Sequence, residues 1–268
     1  MSYQISEVVE LDELREMAEL FAAIWERPGE QPINSDILRA LSHSGNYIAG
    51  TRSENRLIGG IVGWLGGHPP DELHVHSHIL GVLPGIEARG LGFALKQHQR
   101  TWCLERGVKA VEWTFDPLVR RNAYFNLTKL GAEAASYLVD FYGVMYDGIN
   151  AGEESDRILM RWELDSPKAV AAALGNGESP DADRLAREGA TRALSVGPGD
   201  EPVSGPLEGA IAICQMPADI VAMRRAQPEL GRRWRRAVRD SLGAALDQGY
   251  AITGATRDGW YVLQRKPR

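Results

Sequence analysis

The chain has 268 residues, a net charge of -6 and 44% hydrophobic side chains, enough for one large domain or two modest ones with their own cores. The acidic balance gives no reason to expect nucleic acid or an anionic membrane as partner, and no apolar run reaches the roughly 18 residues of a membrane span. The start, MSYQISEVVELDELREM, lacks the basic-then-apolar form of a secretion signal, and the two distant cysteines, Cys103 and Cys214, make no metal-ligand pattern; a reducing, cytoplasmic setting is expected.

Residues 3–9 alternate like a short strand. From Leu11 to Trp25 apolar residues recur at helical spacing (Leu14, Met17, Ala18, Phe21, Ile24) until Pro28 and Gly29. Ser35 reads as the N-cap of a short helix to about residue 42. Residues 46–51 and 57–64 read as strands joined by the polar turn RSEN, a hairpin. A strand over 72–83 follows, then a helix over 90–106 with Leu91, Ala94, Leu95, His98 and Trp102 on one face and Gly107 just past its end. After a strand over 109–115, Asp116 and Pro117 read as N-cap and first residue of a helix to Leu130, ended by Gly131. Strands over 133–141 and 157–164 close this region.

The composition then shifts. Residues 166–209 are rich in Gly, Pro and Ser and read as a linker. Residues 210–268 read as a strand (210–214), a helix from about 218, a longer helix (229–248) and two strands (250–253, 260–264). So small a block is expected to pack on the first domain, 1–165. The fold class predicted is α/β (α+β): a mixed, mostly antiparallel sheet flanked by helices, with a smaller C-terminal α/β subdomain.

The most informative stretch is VLPGIEARGLGFALKQHQR, residues 82–100. Its two glycines at the first turn of a helix cost about 0.5–1 kcal/mol each relative to alanine. Helix N-termini leave about four N–H groups unpaired and carry partial positive charge, so bare glycines there make an anion site, to which Arg89 adds a charged fork. The alternative is a turn that merely packs closely. A dinucleotide fingerprint is excluded because position 95 is leucine, and a P-loop because no Gly-Lys-Ser/Thr follows.

Val82-Leu83-Pro84, followed by Glu87-Ala88-Arg89-Gly90-Leu91-Gly92, resembles the GNAT acyltransferase superfamily, in which a strand ending Val-x-Pro runs into Gln/Arg-x-x-Gly-x-Gly/Ala at a helix start. The resemblance spans roughly residues 3–165, where the element order also agrees. WTFDPLVRRNAYFNLTKLGA, SHILGV and SDR resemble a branch with an extra C-terminal segment. The resemblance implies acetyl-CoA as cosubstrate. The amides of Ala88, Arg89, Gly90, Leu91 and Gly92 would hold its pyrophosphate, Leu80 and Val82 would pair with its pantetheine arm, and Asn122 would touch it. KLGAE, 129–133, resembles the family's K-x-G-F element. The chain departs from the pattern twice: Glu87 replaces Gln or Arg, and Leu127 stands where many members place a tyrosine that protonates the leaving thiolate.

Acyl transfer to an amine needs a base and a polarised carbonyl. His74, His76 and His78 alternate along one strand and so share a face. The first and last lie about 13 Å apart, too far for one ion to hold all three easily. A two-histidine site stays open, and no metal is assigned. His78 lies closest to the expected thioester and is the candidate base, against a bracing role for the same ring. Glu112 could face cleft or solvent. Tyr142 is a candidate proton donor, against aromatic packing. Arg157 could clamp a substrate carboxylate, against an Asp156–Arg157 pair fixing a loop. Arg232, Arg235, Arg236 and Arg239 share a helix face that could grip an acidic partner or the 3′-phosphate of CoA; a solvated face is the default.

The function expected is N-acetyl transfer from acetyl-CoA to a primary amine of a small molecule, by direct attack in a ternary complex. The alternatives are a non-catalytic acyl-CoA-binding sensor or partner-binding module, and other acyl-CoA chemistry such as decarboxylation. Neither nucleic acid nor membrane is expected as partner, and a homodimer is left open.

Overall fold

The computed structural model describes residues 4–26, 31–67, 73–85, 90–145 and 153–266. A short strand, β1 (Ile5–Glu7), leads into α1 (Leu11–Ile24) and α2 (Ser35–His43). The cap of α2 is one residue earlier than expected: the Asn34 side chain, not Ser35, accepts from the Ile37 amide at 2.9 Å. Strands β2 (Tyr47–Ser53) and β3 (Arg56–Gly66) form the expected hairpin. Glu54 and Asn55 at its tip have φ of 49° and 69°, the hand of turn that matches strand twist.

Next come β4 (His74–Val82), α3 (Leu91–Glu105), β5 (Ala110–Phe115), β6 (Glu133–Leu138) and β7 (Arg157–Glu163). The seven strands form one mixed sheet in the order β1-β2-β3-β4-β5-β7-β6, the mostly antiparallel, helix-flanked architecture expected. The chain divides into two compact units. The first takes the described residues up to Trp113 together with Glu163–Asp165; the second takes the remainder.

In the first unit the centre of β3 explains how helices cover both faces. A Cβ at Gly59 would press on Leu91 and Leu95 of α3, and one at Gly60 would collide with Met17 of α1. Successive strand residues point to opposite faces, so the two glycines let α3 and α1 approach from opposite sides. The α1 side holds a core of Leu14, Met17, Phe21, Leu38, Ile48, Val62 and Ile79, each such burial stabilising by about 1.5–3 kcal/mol.

In the second unit the helix expected over 117–130 is broken up. The Val119 amide turns back to the Asp116 carbonyl at 3.0 Å, α4 is only Arg120–Ala123, and Tyr124–Lys129 winds as a π-helix. The stretch expected as a linker also folds. It contains α5 (Pro167–Ala173, capped by Ser166), α6 (Ala182–Arg187, capped by Asp181), β8 (Thr191–Val196) and β9 (Pro202–Ser204). Ala193 and Leu194 of β8 are buried, too short an apolar run to stand out from its Gly- and Pro-rich surroundings. The chain continues through β10 (Ile211–Gln215), α7 (Ile220–Ala226), α8 (Pro228–Val238), a π-helical turn (Arg239–Gly243), α9 (Ala244–Asp247), β11 (Tyr250–Ala255) and β12 (Trp260–Arg265). A five-stranded sheet, β11-β12-β10-β8-β9, results. Among the described residues no helix is long and apolar enough to cross a membrane.

Candidate functional site

Strand β4 carries the histidines, and its pairing places them. Against β3 the register runs Val62↔Ile79 and then Gly63↔Ser77, so His78 is an extra residue without a partner of its own. Such a bulge bends a strand and re-aims a side chain. Here it also reverses the faces. Ser77 meets Lys96 of α3, whereas Gly81 lies against Ile24 and Trp25; an unbroken strand would turn both the same way. The reversal falls after His78, so Val75 and Ser77 turn toward α3 and the histidines alternate on the opposite face, as expected, with the His76 and His78 rings 5.8 Å apart. The rings gather: Trp64 lies 5.1 Å from His76 and 4.6 Å from His78, centroid to centroid.

On its other edge β4 pairs in parallel with β5 only at Val75↔Val111 and His76↔Glu112. Among the described residues no ladder pair continues along that edge from Ser77 to Val82. The strands splay there, leaving backbone groups that need partners. Glu112, a member of the last pair, sets Oε2 3.4 Å from His74 Nε2. Burial, then the neighbouring His78 and His74, lower the His76 pKa to about 4. Burial also lowers His78, so both rings are neutral at neutral pH.

The glycine-bearing helix start follows. Gly90 is the N-cap of α3 with φ 82°, a conformation open to glycine at no steric cost. Gly92 has no such need. A Cβ there would meet only Leu80 Cδ2, at 3.7 Å, and one at Gly90 would meet nothing within 4 Å. Neither backbone strain nor packing accounts for the missing side chain at 92. The first amides of α3, including Leu91 and Gly92, have no partners within the helix. Leu91 itself is buried, so any contact it makes with a ligand is through its backbone. Ala88 and Arg89, expected in this cradle, lie outside the described residues, as does Glu87.

Sequence reasoning missed Lys96. It is 3% exposed, donates to Ser77 Oγ at 2.8 Å and Gln99 Oε1 at 3.1 Å, and sits 3.9 Å above the Trp113 ring. Burial lowers its pKa to about 7. The buried face of α3 is Leu91, Leu95, Lys96, Gln99, Trp102 and Cys103, rotated from the one expected. The signal available was Lys96 and Gln99 at a three-residue spacing beside Leu95 and Cys103.

The second unit holds the other candidates. Asn122 is half-buried at the end of the 116–122 turn, its amide donating to the Val119 carbonyl at 2.9 Å. Leu127 is 1% exposed, so that position offers no acid. Tyr142 is exposed, its hydroxyl 3.1 Å from Thr114 Oγ1. Arg157, expected as a substrate clamp, is buried. Its Nη1 donates to the Asp156 carbonyl at 2.9 Å, Nη2 meets Met145 Sδ at 3.0 Å, and the guanidinium lies 5.5 Å from the Tyr142 ring. Nor does Asp156 pair its carboxylate with Arg157: Arg239 holds it at 2.7 and 2.9 Å, with Tyr137 at 2.8 Å.

The arginine face of α8 is solvated only in part: Arg232 and Arg236 are exposed, as expected, but Arg235 is buried. Arg235 makes two bonds to Asp116, at 2.8 and 2.9 Å, and Arg224 of α7 adds one at 2.7 Å while binding Glu153 at 2.8 Å. Burial alone would raise the Asp116 carboxyl; the two guanidiniums outweigh it and hold the group well below the carboxylate range. Asp116, expected as a helix N-cap, does accept from the Leu118 amide at 3.0 Å, but its main partners are these arginines.

Residues 12–131 match the family model described as Acetyltransferase (GNAT) family. The chain carries a GNAT acetyltransferase domain there. Curated proteins gave no match by sequence. Among solved structures, the chain is similar to the ribosomal-protein-S18-alanine N-acetyltransferase from Escherichia coli at 16% identity, covering 62% of this chain and 96% of that one, TM-score 0.48. An N-acetyltransferase from Staphylococcus aureus Mu50 gives 13%, 62%, 100% and 0.48. An aminoglycoside acetyltransferase from an uncultured soil metagenomic sample, in complex with sisomicin, gives 20%, 42%, 77% and 0.38. The GNAT domain thus spans α1 through the π-helix that precedes Gly131.

Proposed function

We propose that the GNAT domain transfers an acetyl group from acetyl-CoA to the primary amine of a small molecule, by direct attack in a ternary complex. One observation carries this reading: the parting of β4 from β5 after His76, with His78 bulged at the fork and the open start of α3 following on. The residues fit the cosubstrate. The unpaired edge at Leu80 and Val82 suits an extended, amide-bearing arm, as an added strand suits a sheet edge. The amides of Leu91 and Gly92 suit a diphosphate, and no side chain at 90 or 92 fills the approach.

Acetyl-CoA, when bound, supplies the activated carbonyl. His78, neutral because burial lowers its pKa, accepts the proton that the attacking amine gives up. The carbon–sulfur bond breaks as the carbon–nitrogen bond forms. The thiolate takes its proton from solvent, since Leu127 has none to give. Glu112 orients the histidine row through His74.

The test is incubation with acetyl-CoA and a panel of amines, following free thiol and the acetylated product by mass. Product with at least one amine supports the reading. The second reading, acyl-CoA binding without transfer, is favoured by Leu127 and Glu87, the two departures from the family pattern; tight binding in calorimetry with no thiol released by any amine would establish it.

A further inference from the structure

The second unit contains a cleft of about 150 Å³ lined by Val144, Glu153, Glu154, Arg232, Arg235 and Arg236. A cavity of roughly this volume admits a ligand the size of benzene, so this one takes a small molecule of about that bulk. Its lining is almost wholly charged, and most of the charge is already engaged. The two terminal nitrogens of Arg235 are held by Asp116, Arg232 pairs with Glu229, Glu154 pairs with Arg239, and Glu153 Oε2 receives Arg224.

Three groups are not engaged. Arg235 Nε and Glu153 Oε1 are buried with no hydrogen-bond partner, in side chains that are 97% and 97% enclosed respectively. Arg236 is exposed and, among the described residues, makes no hydrogen bond or ion pair. Buried polar groups are rarely left unpaired without a reason. Helix α8 also gives way to the Glu153 carboxylate: a Cβ at Gly231 would collide with Oε1. The unmet needs are therefore one cationic donor inside, a second at the rim, and one anionic acceptor.

The geometry points to an α-amino carboxylate, of the free amino acid class, as the ligand of this cleft. Its carboxylate would take Arg235 Nε and Arg236, and its ammonium would take Glu153 Oε1. A phosphate answers the arginines but has no donor for Glu153 and is repelled by it. A simple amine answers Glu153 but faces the guanidiniums. Only a ligand carrying both charges meets both orphans.

The test is calorimetry on the full chain with no acyl-CoA present, so its outcome is separate from acetyl transfer. The probes are the twenty proteinogenic L-amino acids, then the N-acetyl and the C-terminal amide forms of any that bind, and inorganic phosphate. Expected is saturable binding of at least one amino acid, at least tenfold weaker binding of both blocked forms, and at least a tenfold loss in Arg236→Ala with an unchanged thermal melt. Gly231→Ala should also lose affinity, by crowding Glu153. No amino acid binding, equal binding of either blocked form, phosphate binding in preference to all of them, or unaltered affinity in Arg236→Ala would each overturn the assignment.

Discussion

Lys96 in the first unit and Arg235 in the second are buried to the same degree, each 3% exposed, yet they are held in opposite ways. Lys96 has a hydroxyl, an amide oxygen and an indole face for company, and burial brings its pKa down to about 7. For Arg235 burial pulls the same way, but the two-point bond to Asp116 overrides it and holds the group fully charged. The contrast extends to their neighbours. His76 and His78 are shifted down mainly by burial, whereas Asp116 and Asp156 are kept ionised by arginines that outweigh it. A buried charge is costly unless paired. The second unit pairs its charges and fixes a structure with them. The first leaves a lysine whose proton is labile near neutrality and imidazoles that burial keeps neutral and able to accept a proton, which is what proton transfer requires.

The largest effect should come from breaking the paired side. Asp116→Ala leaves Arg224 and Arg235 buried without their shared carboxylate, and removing one partner of such a network costs about 3–5 kcal/mol. Urea unfolding should show a loss of that order; a loss below about 1 kcal/mol would mean the arginines find other partners. The pH dependence has a defined sign. The folded pKa of Asp116 lies below its ordinary value of 3.8, so its contribution is present above pH 3.8 and is lost as pH falls toward the folded value.

The unpaired side is tested by chemistry. His78→Ala should lower turnover at saturating substrates by about a hundredfold, the lower range for a general base. The fall in rate on the acid side, where His78 becomes protonated, should vanish in the variant. Unchanged turnover with an intact acid limb would make the ring a brace for Trp64. A smaller effect is expected at Gly92→Ala. The new Cβ meets only Leu80 at 3.7 Å, so folding should hold or gain a few tenths of a kcal/mol from helix propensity. CoA affinity should drop about tenfold, or 1.4 kcal/mol. Equal affinity would show that no ligand approaches that turn. Gly90 is a poorer probe, because φ of 82° strains any side chain there regardless of a ligand.

What could be read from the sequence and what could not divides along the range of the interactions. Helix α1, the β2–β3 hairpin and the glycine-marked start of α3 follow from apolar spacing and turn residues within a few positions. The bulge at His78 is a property of β3 and β4 together, and nothing in HVHSHILGV alone marks which residue is extra. The arginine run over 232–239 looked wholly solvated because the partners of two of its members are remote: Asp116 lies 119 residues from Arg235, and Asp156 lies 83 from Arg239. In the stretch over 166–209, Gly and Pro content outweighed the short runs that become β8 and β9. The candidate base was legible as a residue type on a strand; the lysine beneath that strand was marked only by its spacing to Gln99, a weak signal because polar residues on a helix are ordinarily solvated.

That lysine provides the finest test of the contrast. The folded pKa of Lys96, about 7, lies below its ordinary 10.5, so between those values the unfolded chain binds more protons than the folded one. Stability must then rise with pH across that window and be lowest below pH 7, where the charge is buried without a carboxylate. Lys96→Met removes the charge and keeps the length. It should flatten this rise and, at pH 6, stabilise the fold by about 1 kcal/mol, the low end for replacing buried ionic groups with apolar ones. The opposing loss is the contact with the Trp113 ring, about 0.5–2 kcal/mol for a cation over an aromatic face, which is why the net gain is small. Thermal melts of both proteins from pH 6 to 10 separate the two contributions. A parallel pair of curves would mean that Lys96 keeps its proton throughout, and that the indole and Ser77 hold a buried ammonium as firmly as Asp116 holds its arginines.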